Sequence, residues 1–257
     1  MTRANEFVVL KDNDWLVRQR YAGKCVAKIL ASCKTLIEIE KQPNLSLIDL
    51  ENNALSIMKD LGCSATFKGY KGFPSSICTS VNQNMVHGIV TDYVLQDGDV
   101  ISVDLGATYE GAIGDAASTY IYGQPKSKEV VRMIETCKKA LIVGIEAVKI
   151  GNKIGAIGYA INSLTKNSGF GLITNYGGHG INYNTPHAQP FISNKSDKNE
   201  GIRITPGLTI AIEPMLTIGG TKTNILDDGW TIEVPGIACH EEHSIFIHDT
   251  HVEILTA

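Results

Sequence analysis

Four acids and one histidine stand at matched places in two stretches of this sequence, and together they have the make-up of a metal centre. The run Gly98-Asp99-Val100-Ile101-Ser102-Val103-Asp104 is answered by Gly207-Leu208-Thr209-Ile210-Ala211-Ile212-Glu213, each with an acid six residues after a glycine (98 to 104, 207 to 213). His87-Gly88-Ile89 is likewise answered by His179-Gly180-Ile181. Side chains alternate along a strand, so Ser102 and Asp104 share a face with Val100, and Thr209, Ala211 and Glu213 share another. The opposite faces (Ile101 and Val103; Leu208, Ile210 and Ile212) are wholly apolar and are expected to pack on helices. Asp115 follows Asp104 across Tyr109-Glu110-Gly111, which suits the return strand of a hairpin. Glu242 opens the strand Ser244-Ile245-Phe246-Ile247 and is placed to meet Glu213 in the same manner.

Four partly buried carboxylates close together repel one another and do not all stay ionised without cations, because uncompensated burial costs several kcal/mol per charge. Two divalent ions cancel the formal charge of four. Oxygen ligands plus one nitrogen, without thiolate, suit Mn(II), Fe(II), Co(II) or Zn(II), and a metal pair about 3.5 to 4 Å apart makes a nucleophile of water at neutral pH. The expected chemistry is hydrolysis. Each acid taken alone reads as a solvated strand end and each histidine as a turn residue; the set and its duplicated placement carry the argument. His240-Glu241-Glu242-His243 is not a zincin motif, because its second histidine falls at +3 instead of +4 and the segment leads into a strand. The sequence has no G-x-S-x-G elbow, no phosphate-binding G-x-x-x-x-G-K-[ST] loop and no dinucleotide fingerprint after a strand.

The elements that must position these groups read as helix pairs followed by strands. Helical periodicity runs from Trp15 to Ile39 behind an expected N-cap at Asp14, and a second helix opens at Ser46, with Asp49 three residues on, and stops at Gly62. A second pair follows: Ser127 to Gly151, then Ile154, Ile157, Ile161 and Leu164 at helical spacing. Extended regions at 75–122 and 172–247 follow the two pairs, so the chain reads as two related halves, roughly 14–122 and 127–250, of one domain spanning 1–257. A length of 257 residues, 43% apolar and 19% charged, fits one packed core unit. The formal charge of −4, without a Lys/Arg-rich run, argues against a partner held by its phosphates. The start, Met1 to Glu6, shows no export signal, no apolar run is long enough to span a bilayer, and the six cysteines include no C-x-x-C. A cytoplasmic protein with reduced cysteines is expected.

At these residues the sequence resembles the type I methionine aminopeptidases, metallopeptidases of pita-bread fold. The likeness runs from about residue 14 to Leu255 and is carried by Tyr70-Lys71-Gly72-Phe73-Pro74-Ser75-Ser76-Ile77-Cys78, Val86-His87-Gly88-Ile89, Asp99 to Asp104, Gly114-Asp115, Gly178-His179-Gly180-Ile181, Ile212-Glu213-Pro214-Met215 and Glu242-His243-Ser244-Ile245. The resemblance implies an α+β fold of two pseudo-symmetric halves, each a helix pair on a curved, mostly antiparallel sheet. It implies Asp104, Asp115, His179, Glu213 and Glu242 as ligands of two divalent ions (Co, Mn, Fe or Zn) whose bridging hydroxide attacks the first peptide carbonyl. His87 and His187 then face the substrate, Glu213 shuttles the proton, and Tyr70, Phe73, Cys78 and Trp230 line the methionine pocket. The implied substrates are nascent polypeptides with a small second residue; a monomer is the default expectation, transient contact with the ribosome is left open, and the charge and hydropathy above argue against nucleic-acid and membrane partners.

Two departures bear on these expectations. Phe73 stands where the family often has Tyr, and His187 follows His179 by eight residues instead of seven, through Asn182-Tyr183-Asn184-Thr185-Pro186. A β-bulge absorbing the extra residue is expected to keep His187 aimed at the site. The sequence also lacks a zinc-finger extension before residue 14, and the 34 residues from His179 to Glu213 leave no room for the helical insertion of the type II branch. An Xaa-Pro dipeptidase on the same metal set is the alternative enzyme, disfavoured by Cys78 and Trp230. A binding module on this fold is disfavoured because all five ligand residues are retained.

Overall fold

In a computed structural model that describes residues 8–257, the helical periodicity and the strand alternation resolve into two helix pairs, each backed by antiparallel sheet. In the first half, α1 (Asn13–Lys34) continues into a π-helical turn (Thr35–Ile39) and is followed by α2 (Leu47–Asp60). Asp12, not Asp14, caps α1 by accepting a hydrogen bond from the Trp15 amide at 2.8 Å, so the helix starts earlier than its periodicity indicates. Ser46 and Asp49 form a capping box on α2, and Gly62 leaves the helix at a φ of 63°. Strands β1 (Ser64–Ala65), β2 (Cys78–Val81), β3 (Asn84–Val86), β4 (Val100–Tyr109) and β5 (Ala112–Ile121) follow. β4 pairs with β1, β2 and β5, and the β4–β5 hairpin turns at Glu110-Gly111, both with positive φ, as a two-residue loop requires.

The second half opens with α3 (Lys128–Glu146), capped by Ser127, and α4 (Gly155–Thr165). Short β6 (Gly171–Leu172) precedes β7 (Gly177–Asn182), β8 (Thr185–Ser193), β9 (Thr209–Ile212), β10 (Met215–Thr217), β11 (Asn224–Ile225), β12 (Ile232–Glu233), β13 (Ala238–His240), β14 (His243–Ile247) and β15 (Val252–Ile254). A five-stranded sheet has the order β15-β14-β9-β7-β8. β9 and β10 are one extended run broken at Glu213-Pro214, and β13 and β14 are another broken at Glu241-Glu242, so that the pair of runs serves two sheets.

The apolar faces lie where alternation places them. Ile101, Val103 and Leu105 pack with residues of α1 and α2, and Leu208, Ile210 and Ile212 pack with residues of α3 and α4. The halves share construction in detail: Gly98 and Gly207 both have a φ of 82°, and each donates its amide to the carbonyl of the strand it pairs with, Tyr122 and Ile247. Polar bonds then join half to half. Buried Gln19 on α1 donates to the Ile113 carbonyl at 2.9 Å and accepts from Trp15 Nε1 and from Thr209 Oγ1 on β9. Along β5, Asp115, Ala117 and Thr119 bond to Ser244, Glu242 and His240, an alternating ladder at 2.7–3.0 Å.

Close backbone approach fixes α1 against the same strand. A Cβ at Gly114, next to Asp115, would lie 2.6 Å from the Gly23 nitrogen, and one at Gly23 would lie 2.1 Å from the Leu255 carbonyl oxygen. Neither obstacle is a flexible side chain, so the helix has to move. Gly114→Ala is expected to cost about 3 kcal/mol, the upper part of the range for overpacking a core; urea unfolding of the variant at a midpoint equal to that of the unaltered protein would show that the contact is slack.

Candidate metal centre

The ladder between the halves brings the candidate ligands to one place. Asp104 on β4 and Asp115 on β5 are diagonal neighbours on one face of the hairpin, since Asp104 pairs with Ala117 and Asp115 with Gly106. His179 lies on β7 and hydrogen-bonds through Nδ1 to the Gly180 carbonyl, which turns Nε2 toward the acids. Glu213 and Glu242 stand at the two breaks where the paired runs change sheets. Buried Asn194 donates to the carbonyls of Glu213 and Ile173, and the Cys137 thiol meets the carbonyl of Pro214, so the backbone at the Glu213 break is held from both sides.

His179 Nε2 lies 3.5 Å from Glu213 Oε1, 3.8 Å from Glu242 Oε1 and 4.0 Å from an Asp115 oxygen. Three triads have ligand atoms all within 4.8 Å of one another: Asp104, Asp115 and Glu242; His179, Glu213 and Glu242; and Asp115, His179 and His187. Asp104, Asp115, His179 and Glu242 are buried and the Glu213 side chain is 12% exposed. Among the described residues, Asp104 Oδ1, both Asp115 carboxylate oxygens and Glu242 Oε1 have no hydrogen-bond partner. Buried carboxylate oxygens without donors are costly, and a cation shared between neighbouring acids removes that cost. The donor set therefore fits divalent metal.

The electrostatics follow from this crowding. Burial, then the charges of neighbouring acids, pushes the Asp104, Asp115 and Glu242 carboxyls above the ordinary range. Burial also acts to raise Glu213, but the close contact and charge of His240 outweigh it and hold Glu213 below its usual value. Burial lowers His87 and His179 and so favours their neutral forms, and desolvation at the cavity with the neighbouring His179 lowers the more exposed His187 in the same direction.

A cavity of about 230 Å³ opens on these groups and is lined also by His87, His187, Phe67, Tyr176, Phe191 and His240. His87 directly follows β3 and holds a left-handed backbone, φ 57°, unusual for a residue other than glycine. β8 bulges twice against β7, at His179/Gly180 and Gly180/Asn182, and the His187 ring comes to rest 4.5 Å from that of His179. Tyr70, Phe73, Cys78 and Trp230 do not line this cavity. Phe73 and Cys78 cluster with Phe67 at its flank, with Ile89 and Trp230 packed on them; Phe73 meets Trp230 edge to face at 5.2 Å, and Tyr70 lies 5.5 Å from the His187 ring. Cys78 pairs with Asp104 across β2 and β4, so the apolar lobe and the carboxylates share a wall.

Sequence reasoning passed over His240. The H-E-E-H run forms no helical zinc motif, yet the strand it belongs to puts the His240 ring at the cavity, with Nε2 3.2 Å from Glu213 Oε2. Its position two residues before Glu242, on the same face by strand alternation, was the available signal. Phe67 and Tyr176 carried no comparable pattern.

Comparisons with known proteins agree with the geometry. The model of metallopeptidase family M24 matches residues 18–252. The chain is 37% identical over 251 residues to a methionine aminopeptidase of Mycoplasma capricolum, covering 97% of this chain and 98% of that one. It is 38% identical over 239 residues to methionine aminopeptidase 1 of Bacillus subtilis, covering 92% and 94%. The crystal structure of the methionine aminopeptidase of Thermotoga maritima superposes with a TM-score of 0.92 at 33% identity, over 97% of this chain and 99% of that one. An Xaa-Pro dipeptidase of Bacillus anthracis, 21% identical with a TM-score of 0.74 over 96% of this chain and 61% of that one, shares the pita-bread fold.

Chelation should reveal the buried acids. Carboxyls raised in the folded state stabilise it most below the unfolded value of about 4, and that contribution is lost as pH climbs through the raised values. The metal-stripped protein is therefore expected to lose stability between pH 5 and pH 8, while a cation at 100 times its Kd restores about 2.7 kcal/mol. The gain in Tm on adding Mn(II) should be larger at pH 8 than at pH 5.5; an equal gain at both would mean that the acids do not hold the ion.

Proposed function

This chain belongs to metallopeptidase family M24 and catalyses metal-dependent release of methionine from polypeptide N-termini, and we propose that Asp104, Asp115, His179, Glu213 and Glu242 hold the metal. The observation that carries the assignment is the gathering of these donors, from both halves, into overlapping triads with four carboxylate oxygens lacking any other partner. Four negative charges favour a pair of divalent cations, and oxygen donors with one imidazole suit Co(II), Mn(II), Fe(II) or Zn(II). When bound, such a pair supplies Lewis acidity to the first peptide carbonyl and makes water nucleophilic near neutral pH.

The chain's own residues do the rest. Glu213, kept ionised by its histidine neighbours, takes the proton of the attacking water and passes it to the departing amine. His87 and His187, neutral imidazoles at the mouth of the site, present N–H donors to the carbonyl oxygen as it gathers charge. The methionine side chain enters the lobe of Phe67, Phe73, Cys78, Ile89 and Trp230, with Tyr70 at its edge, where aromatic faces and a sulfur suit a flexible thioether. Burial, then the Asp104 charge, pushes the Cys78 thiol well up, which makes it a neutral wall and not a nucleophile. In this reading the substrates are nascent polypeptides with a small second residue, met by a monomer in the cytoplasm. Among the described residues no helix is long and apolar enough to cross a membrane.

Turnover of Met-Gly-Met-Met, Leu-Gly-Gly and an Xaa-Pro dipeptide, after chelation and re-addition of Mn(II), Co(II), Fe(II) or Zn(II), tests the reading. Methionine release restored by metal is expected; equal release of leucine would remove the pocket assignment, and preference for the Xaa-Pro bond would replace the activity. Asp104→Ala should lower turnover roughly 100-fold or more together with bound metal. His187→Ala should keep its metal and slow turnover by about 100-fold, the effect of losing one donor to the developing oxyanion. Full turnover in His187→Ala would show that the bulge leaves this ring outside the reaction.

A further inference from the structure

His240 is an imidazole in a place where none was required by the ligand set. It closes β13 opposite Met215, and its side chain is 2% exposed at the wall of the cavity. Neither ring nitrogen has an aligned hydrogen bond, and the nearest polar group to Nε2 is Glu213 Oε2, in ion-pair contact at 3.2 Å. The backbone beneath the ring is fixed on both sides, since the His240 amide donates to Thr119 Oγ1 at 3.0 Å and the His240 carbonyl accepts from the same hydroxyl at 2.8 Å. The ring is therefore held at Glu213 by a strand pairing that crosses from one half to the other.

The Glu213 carboxylate is divided by its surroundings. Oε2 faces His240, while Oε1 faces His179 Nε2 at 3.5 Å and belongs with the triad that includes Glu242. His240 joins none of the triads of donors, which places it behind the carboxylate and not among the ligands. We infer that His240 is a positioning residue that engages Glu213 Oε2 through Nε2–H and so presents Oε1 to the cation. The role rests on Glu213 being a metal ligand. A carboxylate fixed at one oxygen neither swings away nor clamps a cation with both oxygens, and partners of this kind set metal affinity by orienting the ligand they touch. Burial of an imidazole with no other partner is costly, and this contact offsets that cost.

The test measures cation binding by the full chain, not turnover. Metal-stripped protein is titrated with Co(II) under chelator competition, and the visible spectrum of bound Co(II) is recorded for wild type, His240→Leu and His240→Gln. His240→Leu should bind Co(II) 10- to 100-fold more weakly, and His240→Gln, whose amide N–H can reach the same oxygen, should recover to within a few-fold with the wild-type spectrum. Wild-type affinity in His240→Leu overturns the role. So does a His240→Gln variant as weak as His240→Leu with an altered spectrum, which would make the ring itself a ligand. His240→Met, of similar volume, replaces the leucine variant if that fails to fold. The reading of the metal centre is judged separately on wild type: absence of Co(II) uptake there removes the centre, and His240's role with it.

Discussion

Four carboxylates pressed into one buried space are the constraint on which this molecule is organised. Left to themselves they repel, and burial in low dielectric raises the cost of each charge. Among the described residues no lysine or arginine pairs with them, and Asp104 Oδ1, both Asp115 oxygens and Glu242 Oε1 are left without donors. The arrangement fits divalent cations, whose charge offsets the repulsion. The folding energy that holds the acids together comes from the rest of the structure, chiefly the two helix-on-sheet cores and the hydrogen bonds along β5.

Those bonds explain why a centre drawn from two halves is rigid. Asp115, Ala117 and Thr119 on one side bond with Ser244, Glu242 and His240 on the other, and of these Asp115, His240 and Glu242 also line the cavity. The strand period thus sets ligand side chains and inter-half hydrogen bonds on the same few residues. Gly114 and Gly23 let α1 lie directly on this strand, so the helix that carries Gln19 buttresses the position of Asp115.

The division of labour around the centre follows from charge. Glu213 is held below its usual value chiefly by His240, whereas burial and their neighbours' charges push the other acids toward the protonated form. A single carboxylate differing from its neighbours in this way is suited to moving a proton while the others hold metal. In the proposed reading His87 and His187 take the carbonyl end of the first residue and the apolar lobe beside Cys78 takes its side chain.

The linear sequence determined the parts whose physics is local. Alternation placed Asp104 and Glu213 opposite their apolar faces, the Glu110-Gly111 turn brought Asp115 back beside Asp104, and helical periodicity with Ser46 and Ser127 as caps marked the starts of α2 and α3. The start of α1 was legible only to within two residues, because Asp12 and Asp14 are equally good caps by type and the packing of Trp15 chose between them. Tertiary structure decided what depends on residues far apart in the chain. It set the division of pocket residues between the cavity and the lobe behind Phe67, and the return of His187 through two bulges in β8. It alone placed His240 against Glu213, since that contact exists only where two strands of the second half cross toward a threonine of the first.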